Sequence, residues 1–279
     1  MEVITSKPEL LSNKPPRVFP VDSFVSVKEL ERLAKIPDLV IGELAGRDSA
    51  AAVIFAVEEG VRDILPTYVY TGTEYGDWTQ LDENLAFLER ALRRKGARLH
   101  PPIVLGDPAL WAAICGRFSG EIAMRYGPCG FCTGCHLYMH LCRVPLALRI
   151  GSNVIISGER ESHQGRIKLN QTGPALDAYA EVSSAAGIRL SMPLRFVDSN
   201  EEIERAVGPD WTEGGRQLDC VLGRNYEGAD GRLICDMPRF SAFLEEFLVP
   251  LGKKMLDAVL RGRSDYNRIA EQALKPGDS

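Results

Sequence analysis

Residues 38–60 read Asp38-Leu39-Val40-Ile41-Gly42-Glu43-Leu44, then Ala45-Gly46-Arg47-Asp48-Ser49, then Ala50-Ala51-Ala52-Val53-Ile54-Phe55-Ala56-Val57-Glu58-Glu59-Gly60. The first seven predict a short buried strand, and the last eleven predict a helix with Gly60 at its C-cap. Between them lies a glycine turn. The pattern then repeats outward. A second strand over 63–70 runs into a polar loop (71–78), a helix follows over 81–95, and Ile103-Val104-Leu105 predicts a third strand. Further strands are expected over 153–157 and 188–197. A helix over 26–35 is stopped by Pro37, a helix over 137–144 is ended by Pro145, and the chain is helical from 240 to 274. This alternation predicts an α/β fold, a Rossmann-like parallel sheet with helices on both faces and a mostly helical C-terminal part. The expected organisation is an N-terminal arm (1–25), a nucleotide-binding domain carrying the cysteine cluster (26–197) and a C-terminal helical region (198–279).

The chain has 279 residues, 45% hydrophobic and 25% charged, with 8% aromatics. These are ordinary globular values, long enough for a sizeable core and unlike disordered, collagenous or disulfide-miniprotein chains. The longest apolar run, 50–57, has eight residues, far short of the roughly 20 that a membrane span needs. The first 19 residues lack an apolar signal core. A cytoplasmic protein without a membrane partner is expected. The 33 basic and 38 acidic residues give a net charge of −5, so no global footprint for polyanions exists. A local patch of Arg90, Arg93, Arg94, Lys95 and Arg98 has the spacing of a solvated helix face.

A glycine turn feeding a helix N-terminus is an anion site, because the first amides are unpaired and the helix dipole adds partial positive charge. Ala45-Gly46-Arg47-Asp48-Ser49 is neither a Walker A loop nor Gly-x-Gly-x-x-Gly. Taken alone it also reads as a helix N-capped by Asp48 or Ser49. Its place after the first strand of an alternating pattern favours a phosphate loop.

Leu44-Ala45-Gly46-Arg47-Asp48-Ser49 resembles the Ser-Gly-Gly-x-Asp-Ser signature of the PP-loop ATP pyrophosphatases, the N-type adenine nucleotide alpha hydrolases. The second glycine, Asp and Ser agree, whereas Leu44 and Ala45 stand for the first Ser and Gly. The resemblance covers about 38–166. It implies that Tyr68, Val69 and Tyr70 lie near the adenine and that Ser157-Gly158 passes close to the nucleotide, with Glu159 and Glu161 as the acids that follow.

Gly127-Pro128-Cys129-Gly130-Phe131-Cys132-Thr133-Gly134-Cys135-His136 contains two overlapping Cys-x-x-Cys units. Their glycines would let successive thiolates turn toward one centre. Buried apolar thiols or a redox pair are the plainer alternatives. The spacing to His136 excludes a two-cysteine, two-histidine zinc finger, and His136 and His140 read as satisfied or exposed side chains. Seven cysteines, an odd number, without an export signal argue for reduced thiols. Two metal readings remain. Four thiolates would close a Zn2+ site, as in the similar 7-cyano-7-deazaguanine synthases, with Cys115 or Cys220 as fourth ligand. Alternatively, three cysteines would hold a 4Fe-4S cluster, as in PP-loop tRNA thiolases that take two ligands from Cys-x-x-Cys and a third from far downstream. The first choice is Cys129, Cys132 and Cys220, with Cys135 as an extra ligand or sulfur-carrying thiol. Cys115 and Cys142 read as core.

The segment 157–172 concentrates polar groups after an apolar strand, where loops commonly carry function. Arg160, Arg166 and Lys168 are placed to neutralise phosphate and leaving-group charge, unless the run is only a solvated loop; His163 is a candidate acid or base.

The expected activity is an ATP-dependent sulfurtransferase. ATP with Mg2+ would bind at Ala45, Gly46, Arg47, Asp48 and Ser49, with Asp48, Arg160 and Lys168 catalytic. A substrate oxygen would attack the α-phosphate, pyrophosphate would leave, and a sulfur from a donor would displace AMP. The acceptor is a small molecule or tRNA, and a homodimer is the candidate assembly. The alternatives are a zinc-containing amide or nitrile ligase and a non-catalytic nucleotide- and metal-binding protein.

Overall fold

A computed structural model of the chain describes residues 25–128, 130–211 and 218–275. In chain order the elements begin with α1 (Val27–Ala34), β1 (Val40–Glu43), α2 (Arg47–Glu58), β2 (Asp63–Val69), β3 (Glu74–Tyr75) and α3 (Thr79–Arg94). Next come β4 (Arg98–Leu99), β5 (Ile103–Leu105), α4 (Pro108–Trp111), which continues as a π-helical turn (Ala112–Gly116), α5 (Ser119–Tyr126) and α6 (Gly130–Ile150). The remainder is β6 (Val154–Ile156), α7 (Gly173–Ser184), β7 (Arg189–Ser191), α8 (Asn200–Val207), β8 (Asp219–Cys220), α9 (Met237–Ala242), a π-helical stretch (Phe243–Leu248), α10 (Val249–Leu260) and α11 (Tyr266–Leu274).

The main sheet has the order β4-β2-β1-β6-β7, with β5 also on β2, and every pairing in it is parallel. β4 pairs with Asp63 and Ile64, and β5 with Thr67 to Val69, so together they form one interrupted edge strand. His100-Pro101-Pro102 causes the break, because proline donates no ladder hydrogen bond. Alternate residues of each strand face opposite layers. Val40, Ile64 and Ile156 pack with α2, α3 and α8, whereas Ile41, Leu65 and Ile155 pack with α1, α6, α7 and α9 to α11. The expected α/β architecture is therefore present, and the C-terminal helices share its core. α2 lies close on β1: a Cβ on Gly42 would stand 2.9 Å from Ile64 Cγ2 and 3.1 Å from Val53 Cγ2.

Strand order reverses between β1 and β6, so the carboxyl ends of these two strands open the crevice where ligands of such sheets bind. Three local expectations change. α2 begins at Arg47, with Gly46 as its N-cap and no side-chain cap bond, so Asp48 and Ser49 lie inside the first turn. Pro145 does not end a helix at 144; it sits, half-buried, inside the 21-residue α6 between the buried Val144 and Leu146, whose packing offsets one lost hydrogen bond. The strand expected over 188–197 is only Arg189–Ser191, because Pro193 cannot continue the ladder. Three of the basic residues at the end of α3 are ion-paired on the surface: Arg93 with Glu89, Arg94 with Asp210 and Lys95 with Glu58. No helix among the described residues is long and apolar enough to cross a membrane.

Candidate functional site

The turn after β1 is closed by its own residues. Ser49 Oγ donates to Gly46 O (2.8 Å) and accepts from Ala45 N (2.9 Å), while Asn84 of α3 donates to Ala45 O (2.6 Å). The first intrahelical bond runs from Ala50 N to Gly46 O, leaving the amides of Asp48 and Ser49 without a partner inside the helix. The loop after β6 presses on this turn. A Cβ on Gly158 would fall 2.5 Å from Ser49 N, 2.7 Å from Ser49 Cα and 2.8 Å from Asp48 C. Only glycine permits that approach.

Glu43 fixes the approach. At the end of β1 its Oε2 accepts from Ser157 Oγ (2.7 Å) and Gly158 N (3.1 Å), and its Oε1 faces Arg143 Nη2 at 3.4 Å. Arg143, fully buried in α6, also donates to Thr67 Oγ1 and Met139 O. Burial, the largest single influence, pushes the Glu43 carboxyl up, but Arg143, His140 and the Ser157 hydroxyl together outweigh it and hold the group below the usual carboxylate range. One ion pair thus joins β1, β2, β6 and α6.

The expected catalytic residues meet here. Asp48 Oδ2 is 3.2 Å from Arg160 Nε, and its Oδ1 is 3.3 Å from Arg47 Nε. Arg160 is 4% exposed; its Nη2 donates to Asn200 Oδ1 (2.7 Å), but its Nη1 has no partner. A buried guanidinium with an unused donor is a strong anion-seeking group, because leaving such a donor unpaired is costly. Lys168 completes the cationic side. Burial lowers its ammonium pKa, and Asp48 opposes this. His163 is pushed down to about 4 by burial, then by Lys168 and Arg160, and its Nε2 has no partner. It is a neutral imidazole at neutral pH.

One residue past Gly158, Glu159 turns toward the cysteines. Its Oε1 lies 2.6 Å from His136 Nδ1 and 3.4 Å from His140 Nε2, and Gln171 Nε2 donates to its Oε2. Burial alone would lower the His136 pKa, yet Glu159 raises it well above the ordinary value. Glu159 is correspondingly held down by both histidines against its own burial. His136 also bonds the Cys132 thiol. His136 is therefore a satisfied group, bonded to Glu159 and Asn170, whereas the wholly buried His140 has no hydrogen-bond partner on either ring nitrogen; His136 links the loop after β6 to the thiols.

Cys132 and Cys135 lie in the first turns of α6 rather than in a ligand loop. Gly130 and Gly134 serve packing: a Cβ would meet Ile122 and Phe243 at 3.0 Å, or Ile114 O at 3.3 Å. Cys132, Cys135 and His136 share one helix face by their spacing. Cys135 Sγ accepts from Trp111 Nε1 (3.3 Å), and a hydrogen bond from Cys115 lowers its pKa. Cys220 arrives on β8, which pairs antiparallel with β3 so that Cys220 lies opposite Glu74. Its thiol donates to Thr73 Oγ1 (3.3 Å), and burial, aided by the nearby Cys135, raises its pKa. Cys115 and Cys142 are buried, as expected. Among the described residues five thiols are free, whereas Cys235 is disulfide-bonded, unlike the fully reduced set expected. Cys129 lies outside the described residues. Among the described residues no group of three or more His, Cys, Asp or Glu side chains is arranged to hold a metal ion; Cys132, Cys135 and Cys220 do not by themselves form such a centre.

Tyr68 and Tyr70 stand at the end of β2, where Trp78 packs against both, at 5.9 and 6.0 Å between ring centroids. Trp78 Nε1 is buried and unpartnered. Tyr68 faces the thiol side: burial, Glu74 and Cys135 all raise its pKa. Sequence reasoning missed Glu43, Arg143, Glu74, Trp78 and Trp111. Two of these left a signal, since Glu43 ends an apolar strand and Arg143 interrupts the apolar run 141–147.

No family model matches the chain. It is 34% identical over 242 residues to the uncharacterized protein MJ0009 of the archaeon Methanocaldococcus jannaschii, an alignment that covers 86% of this chain and 87% of that one. With a paired turn and loop at the switch point of its sheet, this chain belongs to the same family as that archaeal protein.

Proposed function

We propose that the chain is a cytoplasmic ATP-dependent enzyme of the PP-loop type, which adenylylates an oxygen of its substrate with release of pyrophosphate and replaces that oxygen with sulfur. The observation that carries the reading is Gly158 held against Asp48 and Ser49 beside the buried, half-used guanidinium of Arg160. The phosphates would rest on the amides of Asp48 and Ser49. Arg160 Nη1 and Lys168 would meet the charge that develops on departing pyrophosphate. Asp48, flanked by Arg47 and Arg160, would keep these cations in place and face Mg2+. Ser157 and Gly158 would hold the nucleotide from the β6 side.

The sulfur half rests on nearness. Glu159 is adjacent in sequence to Gly158 and bonds His136, which bonds Cys132. A donor would leave sulfur on one cysteine of this group as a persulfide, whose outer sulfur would displace AMP from the activated carbon; a second cysteine thiolate would then attack the inner sulfur, releasing the thiolated product and leaving a disulfide between the two cysteines. A 4Fe-4S cluster, for which Cys129, Cys132 and Cys220 would be the ligands, would offer an open iron that binds sulfur. The acceptor is a small molecule or tRNA.

The test is two-part. Calorimetry with ATP and Mg2+ should show saturable binding that Arg160→Gln weakens at least ten-fold. ATP labelled at the α- and γ-phosphates should then yield AMP and pyrophosphate with substrate-containing extract. Formation of ADP and phosphate instead, or equal binding by the variant, overturns the reading.

A further inference from the structure

A phosphate on the amides of Asp48 and Ser49 would leave the rest of its molecule one open side. Toward β6, Gly158 presses on Ser49 and Asp48 with no room for even a methyl group. The opposite side is built by the end of β2 and the start of α3. Leu44 N donates to Thr67 O (2.9 Å), Asn84 holds Ala45 O, and Gln80 Nε2 in turn donates to Asn84 Oδ1 (3.2 Å). Trp78 stands on this side, directly before α3. Thr79 N and Thr79 Oγ1 donate to Asp77 Oδ1 (3.0 and 2.6 Å), and Leu81 N donates to Trp78 O (3.2 Å), so the backbone that carries the indole is held on both flanks.

The ring is held as well. It meets Tyr68 edge-on at 86° and Tyr70 at a tilt of 37°, and Trp78 is 5% exposed. An indole N–H can only donate, and this one is sealed from solvent with no acceptor. A buried donor left unpaired gives up its hydration for nothing, and each such group in a folded protein calls for an explanation. Tyr70 beside it is only half-buried, so this aromatic wall reaches solvent. Aromatic rings around a single buried donor suit a flat heterocycle with an acceptor nitrogen in its ring.

We propose that Trp78 reads the base of the bound nucleotide, its indole N–H donating to an unprotonated ring nitrogen of a purine that lies against Tyr70. Adenine offers N1, N3 and N7 as acceptors, one of which would meet the indole. The inference rests on the nucleotide reading of the turn and adds to it a residue that selects the base.

Calorimetry on the full chain with ATP and its 1-deaza, 3-deaza and 7-deaza analogues, each with Mg2+, tests it. One analogue, lacking the nitrogen that Trp78 reads, should bind the parent chain at least about five-fold more weakly than ATP, the lower end of what an unpaired buried donor costs. Trp78→Phe keeps a ring against Tyr68 and Tyr70 but removes the donor. It should lose the same factor toward ATP and bind that analogue and ATP equally, because the two changes delete one contact. A second readout needs no variant: in proton–nitrogen correlation spectra of the parent chain, one of the three indole N–H signals should move downfield on saturation with ATP. If ATP binds but all three analogues bind as tightly, if Trp78→Phe binds ATP as the parent does or keeps the discrimination, or if no indole signal moves, the assignment to Trp78 is overturned while the nucleotide reading stands. If the parent chain binds no ATP, both fall.

Discussion

Replacing Gly158 by Ala adds one methyl group at the tightest contact of the candidate site. Its Cβ would lie 2.5 Å from Ser49 N and 2.7 Å from Ser49 Cα, so the loop and the turn must part by about 0.7–0.9 Å to restore a van der Waals contact. Both sides are backbone, and both are held: Gly158 N by Glu43 Oε2, and the turn by Ser49 Oγ and Asn84. Forcing a methyl group into such packing costs about 1–3 kcal/mol of stability. Because the displaced atoms include the amides proposed to cradle phosphate, ATP affinity should fall at least ten-fold, about 1.4 kcal/mol. Gly120→Ala is the control. Its Cβ meets nothing within 4 Å in α5, so it should lose neither stability nor affinity. Urea unfolding and ATP calorimetry on both variants provide the comparison. If Gly158→Ala binds ATP within two-fold of the parent chain, the assignment of this contact to nucleotide binding is refuted.

Glu43→Ala strands a buried guanidinium and should cost about 3–5 kcal/mol in urea unfolding, whereas Glu43→Ala/Arg143→Met should recover much of it; a loss below about 1 kcal/mol would show that the pair does not tie the strands. His163 has a folded pKa of about 4 against roughly 6.5 unfolded. Between these values the unfolded state binds more protons, so stability falls as pH falls through the window, by about 3 kcal/mol. His163→Gln should lose less between pH 7 and 4, and an equal loss would disprove the assignment. In the native chain, iodoacetamide should alkylate the part-exposed Cys132 and Cys220 at least ten-fold faster than the buried Cys115 and Cys142, as read by peptide mass mapping.

The alternation of strands and helices was readable because each buried strand is a short apolar run bounded by turn residues, while α2 and α3 carry longer patterns ending at Gly60 and Gly96. Boundaries were less readable where tertiary packing overrides a local rule. Pro145 breaks an isolated helix, yet in α6 its neighbours Val144 and Leu146 are wholly buried. The glycines of the cysteine motif suggested a loop, because sequence does not reveal that Phe243 and Ile114 will crowd them. The turn at 45–49 is legible as a local signal, whereas the pair Ser157-Gly158 stands out only through the family resemblance. Glu43 and Arg143 were not recognised as partners, since they are 100 residues apart and only the sheet order brings them together.

The β3–β8 pairing has a temporal consequence. Thr73 and Cys220, joined through side chains, are 147 residues apart, whereas the turn after β1 and α2 are contiguous in the chain. At about 5–20 residues/s, a ribosome that has made Thr73 needs a further 7–30 s, approximately, to make Cys220. During synthesis the turn after β1 thus exists before β8 can pair with β3. A nascent chain stopped short of β8 would leave β3 without its partner strand and the Thr73 hydroxyl without the Cys220 thiol, an interval in which an unpaired strand edge is open to chaperones.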